Sequence, residues 1–226
     1  MFVKTALAGF TLLLAHRGFG QAQIDLPCAA DDRACILQAM LEHDSRELAT
    51  WQSALAVPLA DRVGPAPPTI VEYLHLDNIR NGFPERPRTA TLDPAFIADV
   101  NAALTELPAS VTRLVEPHLA GLYFVDELGG TGYTEVVRDA DGNPAAAFIV
   151  FDAAVLAQRT ANAWATWKEN TPFTAGADVS LVARIEEERN DTRRNAIQYI
   201  LLHELAHVIA VTSGIHPMGR SRCRQG

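Results

Sequence analysis

Basic charge is in short supply: 19 lysines and arginines stand against 27 aspartates and glutamates, a formal net charge of −8. An acidic chain without a basic stripe has little with which to displace the counterions of a phosphate backbone, which argues against a general nucleic-acid binder. Aromatic residues make up only 7% of the 226 positions, so no platform for stacking bases is evident either. No run approaches the ~20 apolar residues that a bilayer-spanning helix needs. Internal repeats and low-complexity tracts are absent as well. What remains, 48% hydrophobic and 20% charged, is the composition of a globular chain of one good-sized domain or two small ones.

The first 22 residues read as a secretory signal. Lys4 supplies the positive start, Ala6 to Ala15 form a short apolar run, and Gly20 and Ala22 are the small residues before a cut ahead of Gln23. The mature chain is therefore expected to be secreted or periplasmic, with no membrane span once the signal is removed. Removal takes Lys4 and Arg17 with it and leaves a more acidic body, while Arg220, Arg222 and Arg224 give the far end a short basic tail. Cys28 and Cys35 flank a short polar loop, and an oxidising compartment would allow them to pair. Cys223 is then left over as a free thiol or an intermolecular link. Oligomeric state is not legible.

After the signal, residues 23–63 are expected to form an N-terminal helical segment. Ile36, Met40, Leu41, Leu48, Trp51, Leu55 and Val57 are spaced for one or two amphipathic helices. Gly64–Pro68 (GPAPP) is a breaker and marks a boundary before a second unit over residues 69–226. Thr69 to Leu76 (TIVEYLHL) alternates as a strand does. Asp93-Pro94 is a helix start, with Phe96, Val100, Ala103 and Leu104 on one face, and a second short helix is expected over Ser110 to Leu119. Gly121–Val125 and Ala147–Phe151 are apolar runs of strand length. Between them lie a Gly-rich turn (Gly129, Gly130, Gly132) and the hairpin signal Asp141-Gly142. Ala153 to Lys168 reads as helix, and so does Asp191 to about Ser213, capped by Asn190 or Asp191 and ended at Gly214.

That last helix carries the chemistry. Residues 197–211 read IQYILLHELAHVIAV and contain His203-Glu204-Leu205-Ala206-His207, an H-E-x-x-H pattern. Positions i and i+4 of a helix differ by ~40° in rotation and ~6 Å in rise, so His203 and His207 project side by side. Two imidazoles so placed can both bind one Zn²⁺, and Glu204, turned ~100° away, stands beside the metal as a general base. Ile200, Leu201, Leu202, Leu205, Val208 and Ile209 make the helix apolar nearly all round. Burying two histidines and a glutamate among them costs several kcal/mol unless a partner such as a metal satisfies them.

At these residues the chain resembles the zincin metallopeptidases. The resemblance implies an α+β fold in which a zincin-like mixed sheet packs on the buried HExxH helix, here with N-terminal helices added, and an edge strand that aligns extended peptide substrates. A catalytic zinc site takes three protein ligands and a water. The two common family patterns for the third ligand are missing: Ala210 and Ser213 stand where one needs Gly and His, and no Asp or Glu follows Glu204 for the other. His216 is the downstream candidate. The helix advances ~9 Å from His207 to Ser213, and three extended residues beyond it return at most ~10 Å. Upstream, His75 and His118 are substitutes. The tail GRSRCRQG resembles no element, as after a C-terminal truncation. Tyr133 or His118 could stabilise an oxyanion.

These residues together lead to the expectation of an exported, zinc-dependent hydrolase of peptide bonds acting on a peptide or protein substrate. The alternative is an exported zinc-binding or scaffold protein whose site does no chemistry.

Overall fold

The computed structural model describes residues 26–172 and 180–215; the expected signal, His216 and Cys223 lie outside them. The chain begins with two helices, α1 (Arg33–Leu41) and α2 (Leu48–Leu55), joined through a 3-10 turn at Asp44–Arg46. Cys28 and Cys35 form a disulfide across the start of α1, with their Cα atoms 5.7 Å apart, as expected from their spacing. Then follow β1 (Val63–Pro65), α3 (Pro68–Asn81), β2 (Arg88–Thr89), α4 (Pro94–Thr105) and α5 (Ala109–Val115). The remaining elements are β3 (Leu119–Asp126), β4 (Gly132–Arg138), β5 (Pro144–Asp152), α6 (Ala153–Ala157), α7 (Ala161–Asn170) and α8 (Arg193–Thr212).

The sheet is mixed, in the order β1-β3-β5-β4, with β1, β3 and β5 parallel, β4 antiparallel to β5, and β2 pairing antiparallel with β3. The α+β class is thus as expected. β3 and β5 are covered on both faces, which is why each reads as a continuous apolar run and not as an alternation. Phe148 and Val150 of β5 point to one core, shared with Ile36, Trp51, Ile70, Tyr73 and Leu74 from α1, α2 and α3. Ala147, Ile149 and Phe151 point to the other, shared with Phe96, Val100, Ile197, Leu201 and Leu205 from α4 and α8. The sheet therefore separates α3 from α8. Arg62, only 6% exposed, fastens the N-terminal helices to the sheet by donating to the carbonyls of Leu55 and Val57 on one side and Glu116 and Leu119 on the other.

Two local expectations are corrected. The stretch Thr69–Leu76 is not a strand but the first half of α3, whose Ile70, Tyr73 and Leu74 are buried at helical spacing; Pro68 occupies the first turn, and Gly82 lies just past the end. The start of the breaker stretch, Gly64 and Pro65, belongs with Val63 to a strand paired in parallel with Leu122–Phe124. By contrast, Asp93 caps α4 through the backbone N–H groups of Ala95 and Phe96, as Asp93-Pro94 foretells. The single helix expected from Ala153 to Lys168 is instead two, α6 and α7, separated by residues 158–160.

Candidate metal centre

Helix α8 is capped by neither Asn190 nor Asp191. The Thr192 hydroxyl accepts from the Asn195 N–H, while Asp191 accepts from the Thr160 hydroxyl and the Asn162 N–H at the start of α7. At the other end Gly214 takes the left-handed conformation expected of it, with φ +70°. Ile197, Ile200, Leu201, Glu204, Leu205 and Val208 form the buried stripe of α8. Tyr199, Leu202, His203, Ala206 and His207 form an exposed one. The expectation of a helix buried all round is therefore wrong: the sheet and α4 cover one side only. The apolar flanks concealed this, because a helix without a polar face gives periodicity nothing to detect.

On the exposed face the two imidazoles converge. The Nε2 atoms of His203 and His207 are 3.3 Å apart, with ring centroids separated by 5.0 Å and planes inclined by 80°. Without a metal, one ring donates Nε2–H to the other. Two nitrogens each ~2.0–2.1 Å from one tetrahedral ion are ~3.3–3.4 Å apart, so the same spacing also fits two ligands of a single zinc.

Glu204 is turned the other way, onto the sheet. It is 7% exposed, and its Oε2 accepts from the Thr134 hydroxyl at 2.5 Å. Its Oε1 lies over Gly132, where an added Cβ would stand 2.8 Å from that oxygen and 3.1 Å from Phe151 Cε1. Gly132 and Thr134 share one face of β4, so a carboxylate on α8 is seated against alternate residues of the outermost strand. One turn before His203, the Tyr199 ring lies 5.6 Å from that of Trp164, whose Nε1–H donates to the Thr131 hydroxyl at 3.0 Å.

The other candidates lie elsewhere. His75 is on α3, across the sheet from α8, and its Nε2–H donates to the Pro87 carbonyl at 2.5 Å. The Nδ1–H of His118 donates to the Ala145 carbonyl at 2.9 Å. Ala145 is four to six residues along β5 from Ile149 and Phe151, the partners of Thr134 and Gly132, which is roughly 13–20 Å of strand. Tyr133 points to the far face of β4, where its hydroxyl donates to Glu135 at 2.6 Å; burial and the Glu135 charge push the phenol well above its ordinary range. None of the three joins the histidine pair. His216, the remaining candidate ligand, lies outside the described residues, and among those residues no group of three or more His, Cys, Asp or Glu is placed to hold a metal ion.

Sequence reasoning missed Thr134 and Gly132 because it placed no strand between the Gly-rich turn and Asp141-Gly142. The available signal was that hairpin dipeptide, which needs a strand on each side. In comparison with known proteins, the chain matches no family model, no curated protein and no solved structure. Among the described residues no helix is long and apolar enough to cross a membrane.

Proposed function

We propose that the chain is an exported, zinc-dependent peptidase of the zincin kind, with His203, His207 and His216 holding the metal and Glu204 as general base. The observation that carries this reading is the 3.3 Å approach of two imidazole Nε2 atoms on an exposed helix face. It is reinforced by Glu204, which lies between them in sequence and is seated on the neighbouring strand. The disulfide at Cys28 and Cys35 agrees with an oxidising compartment.

Zinc bound there would supply Lewis acidity, making water acidic near neutral pH and polarising the scissile carbonyl. Glu204 takes a proton from the attacking water as the water oxygen bonds to the carbonyl carbon. It returns that proton to the amide nitrogen as the C–N bond breaks. The substrate is held in extended form by β4, which ends the sheet; apart from its pairing with β5, β4 is bridged among the described residues from Arg138 to Glu47, at the end remote from Glu204. An extended peptide can add to such an edge through main-chain hydrogen bonds.

The test is hydrolysis of an unfolded protein by the zinc-loaded chain and by Glu204→Gln. The variant is expected to keep its zinc and lose about 10²- to 10⁴-fold in turnover, the usual contribution of a general base. Cleavage near the wild-type rate would refute the assignment. A second reading, an exported zinc-binding protein without turnover, is favoured by the presence of only two convergent histidines among the described residues. Stoichiometric zinc with no hydrolysis by the wild type would establish it.

A further inference from the structure

We infer that Thr134 is a positioning residue for Glu204, and that Gly132 is bare because the same carboxylate occupies the space where a side chain would be. The inference rests on the peptidase reading for its functional half and on contacts within the chain for its structural half.

The Glu204 side chain leaves α8 on the buried stripe, among Leu201, Leu205 and Val208, where an ionised carboxylate has few partners. Among the described residues, its one side-chain hydrogen bond comes from Thr134, 2.5 Å away and 70 residues earlier in the sequence. A donor to a charged acceptor in a low-dielectric setting forms the stronger kind of hydrogen bond. A β-branched residue on a strand has few χ1 choices, so the Thr134 hydroxyl is held where the backbone puts it. The second oxygen lies over Gly132, where an added Cβ would stand only 2.8 Å from it, so the strand has no room there for both a side chain and the carboxylate. A flexible three-torsion side chain is thereby seated on β4, by a hydrogen bond at Oε2 and by the bare Gly132 beneath Oε1. Since β4 is also the outermost strand, the base and the strand proposed to hold the substrate form one rigid unit. A shift of the base relative to the scissile bond by even ~1 Å can cost 10²-fold in rate.

The experiment uses the full chain with three substitutions: Thr134→Val, which keeps the shape and removes the donor, Thr134→Ser, which restores a hydroxyl, and Glu204→Met, which removes the acceptor. A double-mutant cycle of thermal unfolding on metal-free protein reads the contact without reference to catalysis. The combined Thr134→Val and Glu204→Met loss in Tm is expected to fall short of the sum of the single losses by about 3–6 °C. On zinc-loaded protein, Thr134→Val is expected to keep its zinc and its KM and to lose about 10- to 100-fold in kcat. Thr134→Ser should recover most of that loss, which a merely structural contribution to the strand would not produce. Additive Tm losses overturn the inference whatever the enzyme does, and so does a full kcat in Thr134→Val. Coupled Tm losses in a zinc-loaded wild type that hydrolyses nothing would instead overturn the peptidase reading and the positioning role with it, leaving the contact as architecture.

Discussion

Two carboxylates meet β4 from opposite sides, and their surroundings differ in kind. Glu135 belongs to the strand and faces α3. It accepts from the Tyr133 hydroxyl at 2.6 Å and the Tyr73 hydroxyl at 2.8 Å, and it pairs with Arg46 at 3.1 Å. Glu204 comes from α8 and, among the described residues, has one hydroxyl donor, beside a bare glycine. The Glu135 carboxylate, with two hydroxyl donors and an ion pair, ties Arg46 and α3 to the edge of the sheet. The Glu204 group, with a single side-chain donor among the described residues, keeps acceptor capacity in reserve on the helix that also carries the two exposed imidazoles. A satisfied carboxylate holds structure together, whereas an incompletely satisfied one can still accept a proton, the part proposed for Glu204.

The sharpest way to break this comparison is to neutralise each carboxylate in turn. Glu204→Gln should lose about 10²- to 10⁴-fold in turnover while its unfolding midpoint stays close to wild type. Glu135→Gln should do the reverse, losing about 1–3 kcal/mol in denaturant unfolding, with turnover per folded molecule unchanged within about twofold. An inactive but fully stable Glu135→Gln would erase the distinction. A smaller effect comes from thinning the Glu135 network: Tyr73→Phe should cost about 0.5–1.5 kcal/mol of stability, measured in the same way, without affecting zinc content.

The smallest effect concerns Asp77, on the α3 side of the same strand. Burial and the Glu135 charge hold its carboxyl above the ordinary carboxylate value. The folded chain therefore binds that proton more tightly than the unfolded one. The stability this supplies is present at low pH and is lost as pH rises from the ordinary carboxylate value through the raised one. Asp77→Asn should consequently raise Tm slightly at pH 7, with the gain disappearing below about pH 4. A gain that persists unchanged in acid would show that the Asp77 charge is not its source.

How much of this was legible depended on whether the signal was local. The Asp93-Pro94 start of α4, the apolar cores of β3 and β5, the Cys28–Cys35 pair and the convergence of His203 with His207 all follow from spacing within a few residues. Thr69–Leu76 misled because an eight-residue window that alternates also accommodates a helical stripe, and the burial that separates the two comes from α1 and β5. Tyr133 misled for a related reason. Its place in the Gly-rich region is local, but the face it takes on β4 is set by pairing with β5, which directs Thr134 to Glu204 and Tyr133 to Glu135. The exposure of the two histidines depends on what covers α8, and no residue within α8 encodes that.

The central claim is that His203 and His207 grip one zinc ion, and metal content tests it most directly. Protein purified, saturated with zinc and freed of excess should carry one zinc per chain by elemental analysis, and His203→Ala and His207→Ala should each fold and carry almost none. A wild type that emerges zinc-free, or single variants that keep a full equivalent, would contradict the account.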